Sequence, residues 1–482
     1  LSTATATLSR IEVNAKIFVA MVILGLSLAY FFYLMAPDMT WANVGYDAPN
    51  YVASAEELRL SHPSPGSPLY NLFNAGWIRM LPGDNSFWEI GLVSVISSSL
   101  IAMLLFLISK SIIPTLVWLA SGVVVSQSTI VESYTLVSLF MLGAYWLYKS
   151  EKRFLAYSLL SFGVMVHHLA IIPIIIFAIR DLWLYFNVPE DTTFVQALTG
   201  KDKPSLKPFL GILVAVPLLA YIPLANREPF IWIGGESIGD YYRYWFSQGG
   251  LLGGLSVVPY NDLLERVGDF LIVVLGSVGI VLPFIYLSFK KSKDWLLVAL
   301  AITPMIYYAT NLAPQVYTYV VPSIMFVGLL AAGKVDWSNI SKIRPILIVN
   351  IIPLLVLPSL VGLNIVWYNQ DSSSSALTFY NSLDKLPKDS FVWSGSRGWE
   401  KQTVELYNYR NSTNIDTINV RKSFRSEEDR NHAIHVSDSE GKLYRTVVTD
   451  LSTYEVVLIR TTAVSVIEDL EALTSPIVEE DN

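Results

Sequence analysis

Asp47 stands in the segment Gly45-Tyr46-Asp47-Ala48-Pro49-Asn50, and the proline-rich stretch His62-Pro63-Ser64-Pro65-Gly66-Ser67-Pro68-Leu69-Tyr70 follows it. A carboxylate with little other charge around it can take a proton from a hydroxyl group. It is equally suited to cap a helix that starts near Pro49, because Asp before a first turn that contains Pro is ordinary helix chemistry. His62 brings an imidazole to the same loop. Farther on come Glu132-Ser133-Tyr134-Thr135-Leu136, the pair His167-His168, and two arginines, Arg227 and Arg243, in a segment rich in Tyr and Trp. Guanidinium grips phosphate bidentately, although an arginine among aromatics also serves as a headgroup anchor. The histidine pair is either structural or a source of hydrogen bonds and charge. There is no cysteine, which excludes disulfides and thiolate metal sites, and no metal is required by this set of residues.

These groups must be positioned by a membrane protein. Of the 482 residues, 53% are hydrophobic and 15% charged, against about 25% charged in soluble domains. Runs long enough to cross a core of about 30 Å occur at 16–36, 87–108, 207–225, 268–289, 295–312, 316–333 and 344–368. Shorter runs at 111–126, 134–148, 154–167 and 169–185 bring the expectation to about eleven crossings, with the last two readable as one broken or re-entrant element. Cytoplasmic loops collect Lys and Arg. Assigning sixteen of the 33 basic residues to one side leaves five arginines and no lysine in the opposite loops, and twelve basic residues in the tail. The sequence thus predicts a cytoplasmic N-terminus, a first span retained as a helix, and a C-terminal tail outside. A charge placed at full bilayer depth costs several kcal/mol, so Glu132 is expected near the outer interface. Nothing resembles a basic nucleic-acid stripe.

Two outer loops, 37–86 and 226–267, are long enough to be functional. The first is amphipathic around Tyr51, Ala55 and Leu58, then Leu69, Leu72, Phe73, Trp77 and Leu81, and predicts two helices in the interface plane. Beyond Ser372–Ser375, a polar linker, the composition changes. Residues 1–369 are therefore read as a transmembrane domain and 370–482 as a small outward-facing α/β module, with strands at 391–393, 417–420 and 456–459 and helices at 399–409 and 463–473. Sequons occur at Asn339 and Asn411, of which only Asn411 faces outward in this topology.

The order of the motifs resembles the GT-C superfamily, and within it the transmembrane O-mannosyltransferase-like family. The matching positions are Asp47, the His62–Tyr70 stretch, Glu132-Ser133-Tyr134-Thr135-Leu136, His167-His168-Leu169, the loop Arg227–Gly234, and Tyr380–Pro387 with Leu406-Tyr407. The family's second carboxylate is Asn50 here, its proline motif has gained Ser64, and the Asn of its Asn-His pair is His167. The resemblance implies a sugar donor linked to polyprenyl or dolichyl phosphate, a mannose-like hexose, and a protein or glycan hydroxyl as acceptor. Such a transfer needs a base for the acceptor and positive charge for the departing phosphate. Asp47 is the expected base. Arg227 and Arg243 are expected at the phosphate; His62, Glu132, His167 and His168 at the substrates; and Tyr317, with Gln315 and Tyr319, along the lipid groove. Inversion follows if no covalent sugar intermediate forms. Two other readings stay open: a catalytically silent GT-C-like subunit of a membrane assembly, compatible with Asn50, and a transporter, disfavoured because the spans are nearly free of charge.

Overall fold

The structure is a computed structural model that describes residues 2–35, 48–58, 67–81, 83, 85–186, 207–220, 294–310, 316–332, 356–361, 375–386, 390–394, 398–419, 443–450 and 455–460. The chain divides into two compact units, Leu1–Pro37 with Ser54–Gln370, and Asp38–Ala53 with Asp371–Asn482. Among the described residues, Asn14–Met35, Ser86–Ser109 and His168–Tyr185 are long and apolar enough to cross a membrane, and shorter apolar helices lie at Arg153–Val166, Trp295–Tyr307 and Thr318–Ala331.

The first unit is helical. Helix α1 (Ser2–Met35) is followed in the chain by α2 (Ala48–Glu57), which begins immediately after Asp47 and whose residues up to Ala53 are counted with the second unit, then by α3 (Pro68–Met80) and α4 (Ser86–Ser109). Asn85 caps α4 by accepting from the Trp88 amide at 3.3 Å, and Lys110 ends it in the left-handed region at φ 58°. The Arg79 guanidinium donates to the Ala55 and Glu56 carbonyls, both at 3.3 Å. These belong to the last turn of α2, where orphan carbonyls and the negative pole of the helix favour a cation. Helix α3 buries Tyr70, Asn71, Asn74 and Ala75 and leaves Leu72, Phe73 and Met80 exposed. A helix that turns its polar face inward and its apolar face outward is suited to lipid surroundings. The Trp77 indole donates to the Glu89 carbonyl at 2.8 Å, tying α3 to the start of α4.

The run at 111–126, expected as one span, is instead two helices, α5 (Ile113–Ala120) and α6 (Gly122–Ser128). Ser121 is extended at ψ 116°, and it is followed by glycine, the weakest helix former after proline. Hydroxyls hold this broken segment to α4. Thr115 Oγ1 donates to the Ala102 carbonyl at 2.9 Å, Trp118 Nε1 to Ser98 Oγ at 2.9 Å, and Ser98 Oγ meets Ser128 Oγ at 2.6 Å. Small hydroxylated residues let helices approach closely where no hydrophobic effect drives them together.

Helices α7 (Tyr134–Lys149), α8 (Arg153–Val166) and α9 (Ile171–Phe186) follow. The last two form an antiparallel hairpin, since Arg153 in the first turn of α8 bonds Asp181 near the end of α9 at 3.0 Å. They are therefore two helices rather than one continuous run. A 3₁₀ stretch, Lys207–Ala220, packs along α8. Ser161 Oγ donates to the Ile212 carbonyl at 2.6 Å, and a side chain at Gly211 would run into the backbone of Phe154 and Ser158. Helices α10 (Trp295–Thr310) and α11 (Val321–Ala331) are joined through a 3₁₀ turn, Val316–Val320. The predicted runs at 268–289 and most of 344–368 lie outside the described residues.

Two ends of the bundle can be distinguished. At one, Asp181, 5% exposed, accepts from Tyr148 (2.5 Å), Tyr157 (2.9 Å) and Arg153 (3.0 Å), and Lys149 pairs with Asp294 at 3.4 Å. The opposite end carries the start of α7, the α8–α9 turn and the α10–α11 connection.

In the second unit, α12 (Ser375–Leu383) precedes β1 (Phe391–Ser394), α13 (Gly398–Asn411), β2 (Asp416–Asn419), β3 (Leu443–Asp450) and β4 (Glu455–Arg460). The sheet order is β2-β1-β3-β4, with β1 parallel to both neighbours and β3 antiparallel to β4. Strand β3 and helix α12 were not foreseen, and the helix expected at 463–473 lies outside the described residues. The parallel pairing of β1 with β2 is bridged by α13, a crossover of the usual βαβ kind. Tyr407 on α13 donates to Asp384 Oδ1 at 2.9 Å. Burial first, then this bond and the carboxylate charge, push the Tyr407 hydroxyl up to about 12.

Candidate active site

Four helix ends converge around the histidine pair. Helix α8 stops because His167 is extended, φ −160° and ψ 140°. Its side chain then caps the 3₁₀ turn His168–Ala170, Nδ1 accepting from the Leu169 amide at 3.2 Å. The His168 ring stacks on His167 with centroids 4.1 Å apart. Tyr134, the first residue of α7, lies 4.9 Å from His167. Tyr319, from the turn before α11, lies 5.9 Å from His167 and 5.8 Å from His168. Tyr307, near the end of α10, is 5.4 Å from Tyr319, and its hydroxyl is 3.3 Å from His168 Nε2. Five rings from four segments thus form one cluster. His167 is buried, whereas Tyr134, His168, Tyr307 and Tyr319 are half-buried.

Glu132 lies two residues before Tyr134 and is 4% exposed. Ser94 Oγ of α4 donates to its backbone carbonyl at 3.1 Å. Its carboxylate is close enough to Tyr70 of α3 to act on it. Tyr70 is fully buried, and burial foremost, then the Glu132 charge, push its hydroxyl above the ordinary phenol range, while the neighbouring Asn74 side chain opposes them. A second buried carboxylate, Glu89, sits in the first turn of α4, where the positive pole of a helix favours it. Among the described residues, no group of three His, Asp or Glu side chains is placed to hold a metal ion.

Of the expected site residues, Glu132, His167 and His168 come together at this end of the bundle. Tyr317 lies in the Val316–Val320 turn that also carries Tyr319. Asp47, His62, Arg227 and Arg243 lie outside the described residues. Sequence reasoning passed over Tyr307 and Glu89 and gave Tyr70 and Tyr134 no role of their own. Tyr70 and Tyr134 stand inside the quoted motifs, which was the available signal. Tyr307 sits in an unbroken apolar run where nothing sets it apart.

The arrangement is that of a polytopic helical membrane protein with a polar and aromatic cluster gathered at one end of its bundle. Over residues 47–170 the chain matches the family model for the Protein O-mannosyl-transferase TMEM260 N-terminal domain. That segment contains Asp47, His62, Glu132, His167 and His168. The fold is similar to crystal structures of ArnT from Cupriavidus metallidurans. The form bound to undecaprenyl phosphate aligns with a TM-score of 0.52 and 10% identity over 93% of this chain and 98% of that one. The apo form gives the same score and identity over 94% and 99%. No curated protein sequence matches. The resemblance to GT-C O-mannosyltransferase-like proteins drawn from the motifs is borne out by these matches.

Proposed function

We propose that the chain is a membrane glycosyltransferase that moves a sugar, a mannose-like hexose, from a polyprenyl-phosphate carrier to a hydroxyl acceptor on a protein at the outer membrane face. The observation that carries this reading is the gathering of Glu132, His167 and His168 at one bundle end, within a segment matched by an O-mannosyl-transferase model. The fold likeness to a protein captured with undecaprenyl phosphate supports a lipid phosphate as the donor's leaving group. The central parts of the three long apolar helices hold no charged residue, which speaks against an ion-coupled carrier. The placement proposed is an integral membrane protein of the cell membrane or an equivalent secretory membrane, N-terminus cytoplasmic and C-terminal module outside.

In the proposed reaction the acceptor oxygen attacks the anomeric carbon as its proton passes to Asp47. The bond from the anomeric carbon to the phosphate oxygen breaks, and its electron pair leaves on the phosphate. A single displacement inverts the anomeric centre. Arg227 and Arg243 balance the departing phosphate, and His62 and Glu132 hydrogen-bond the substrates. A phosphate of this kind leaves without a strong general acid, so one base suffices and no divalent metal is required.

Asp47→Asn tests the mechanism. Asn retains size and capping ability but accepts no proton, so transfer from a polyprenyl-phosphate sugar falls by about 10² to 10⁴ with donor affinity kept. A capping aspartate predicts instead a silent Asp47→Asn and a loss of about 1 kcal/mol of stability in Asp47→Ala. Asn50, standing where the resemblance calls for a carboxylate, favours a second reading as a silent subunit of a membrane assembly. Failure of the unmodified protein to bind any polyprenyl-phosphate donor would select that reading.

A further inference from the structure

The histidine and tyrosine rings have a geometry that decides which part of a donor they can hold. His167 Nδ1 accepts the Leu169 amide, and a ring nitrogen that accepts carries no proton. The neutral ring then bears its proton on Nε2, on the far side from the backbone turn. Among the described residues Nε2 has no hydrogen-bond partner. His167 is thus a fixed neutral donor rather than a cation. His168 touches the Tyr307 hydroxyl through Nε2, while its Nδ1 is buried with no partner, an orphan that costs free energy unless something fills it. Around the two imidazoles stand the rings of the half-buried Tyr134, Tyr307 and Tyr319.

Aromatic faces carry negative quadrupole charge, so they attract the weakly positive C–H face of a sugar and repel an anion. Neutral imidazole nitrogens pair with sugar hydroxyls, which both donate and accept. A phosphate calls for cations instead, and neither the aromatic faces nor the neutral His167 ring supplies one. We infer that the cluster of Tyr134, His167, His168, Tyr307 and Tyr319 is the subsite for the sugar ring of the donor and takes no part in holding the lipid phosphate. This rests on the glycosyltransferase reading and assigns the two histidines to the sugar within it.

The test separates sugar from phosphate. Full-length protein in nanodiscs is titrated with bare undecaprenyl phosphate and with the same lipid carrying mannose, glucose or galactose. The unmodified protein is expected to bind at least one loaded lipid about tenfold more tightly than the bare one, the scale of one or two net hydrogen bonds. His167→Asn keeps a side-chain acceptor for the Leu169 amide but lacks the distal donor, and Tyr319→Leu removes one stacking face. In either variant the preference for the loaded lipid should collapse while affinity for the bare lipid is unchanged. Should Tyr319→Leu fail to fold, His167→Asn carries the comparison. A preference that survives both changes overturns the inference, as does an equal loss for bare and loaded lipid, which would place phosphate here. Discrimination by the unmodified protein against every loaded lipid overturns it too. If the unmodified protein binds neither kind of lipid, the donor reading itself falls and the subsite with it.

Discussion

Replacing Asp181 by alanine tests whether the α8–α9 hairpin is held by one buried carboxylate. Asp181 accepts three hydrogen bonds, from Tyr148, Tyr157 and Arg153, and its side chain is only 6% exposed. Asp181→Ala leaves two tyrosine hydroxyls without their acceptor, in residues 2% and 0% exposed. Each stranded buried group costs about 1–3 kcal/mol. Arg153 is not stranded to the same degree, because it keeps Glu151 at 2.9 Å and is 21% exposed. The expected loss is therefore about 3–5 kcal/mol, the range for breaking a buried pair from one side. Tyr157→Phe removes one donor and leaves Asp181 two, so it should cost about 1 kcal/mol. The double variant should lose less than the two singles together, by about 1–2 kcal/mol, since the hydroxyl stranded by the first change is absent. Equilibrium unfolding in mixed micelles, followed by tryptophan fluorescence, measures all four proteins. A loss below 1 kcal/mol for Asp181→Ala, or strict additivity in the cycle, would refute the reasoning. The histidine cluster lies fourteen residues away along α8, about 21 Å at the helical rise, so donor binding by the folded fraction should be retained.

The orientation proposed from the lysine bias is checked by cysteine scanning, which starts clean because the chain contains none. A cysteine at position 430 should react with an impermeant reagent from outside and one at position 293 should not; the reverse pattern would overturn the topology. The second unit should show an alkaline transition of its own. Tyr407 is shifted up from 10.0 to about 12 by burial and by Asp384, so its neutral form is the one the fold stabilises. That contribution is complete below pH 10 and is lost as pH rises from 10 toward 12. Hydrogen exchange of α13 should therefore accelerate across that window in the unmodified protein and more weakly in Tyr407→Phe, and identical profiles for the two would remove Tyr407 as the cause.

What could be read in advance follows from which interactions are local. The long apolar runs at 87–108, 134–148 and 154–167 correspond to α4, α7 and α8, because length and hydrophobicity alone decide whether a segment can satisfy its backbone in an apolar medium. The break at Ser121 was not legible. The flanking valines and leucines suit a continuous helix, and what tips the balance is Ser121-Gly122 together with Trp118 and Ser128 both reaching Ser98 on another helix. The ring cluster was only half legible for the same reason. The motifs supplied Tyr134, His167 and His168, which lie within about thirty-five residues of one another, but Tyr307 and Tyr319 join them through contacts more than a hundred residues distant in the chain.

His167 shows how a motif departure can be reinterpreted once geometry is known. Read as sequence, a histidine in place of the resembled family's Asn is a loss. In the structure the position must supply a side-chain acceptor to the amide two residues on, and both the amide oxygen of Asn and the Nδ1 of a neutral imidazole can do so. The turn that ends α8 is therefore preserved by either residue, and the exchange acts on the far side of the ring, where histidine adds a donor that a capping Asn does not place at the same reach. Asn50 has no such equivalence. An amide cannot replace the charge of a carboxylate, and its place on α2, 3% exposed, leaves little room for water to compensate. The consequence is asymmetric: the His167 departure leaves the turn intact and, in the proposed subsite, would change only how a sugar is contacted, whereas Asn50 lacks the charge of a carboxylate outright. If the chain is active, Asp47 must act without a second acid beside it at position 50, and an Asn50→Glu variant that raises transfer would locate the deficit there.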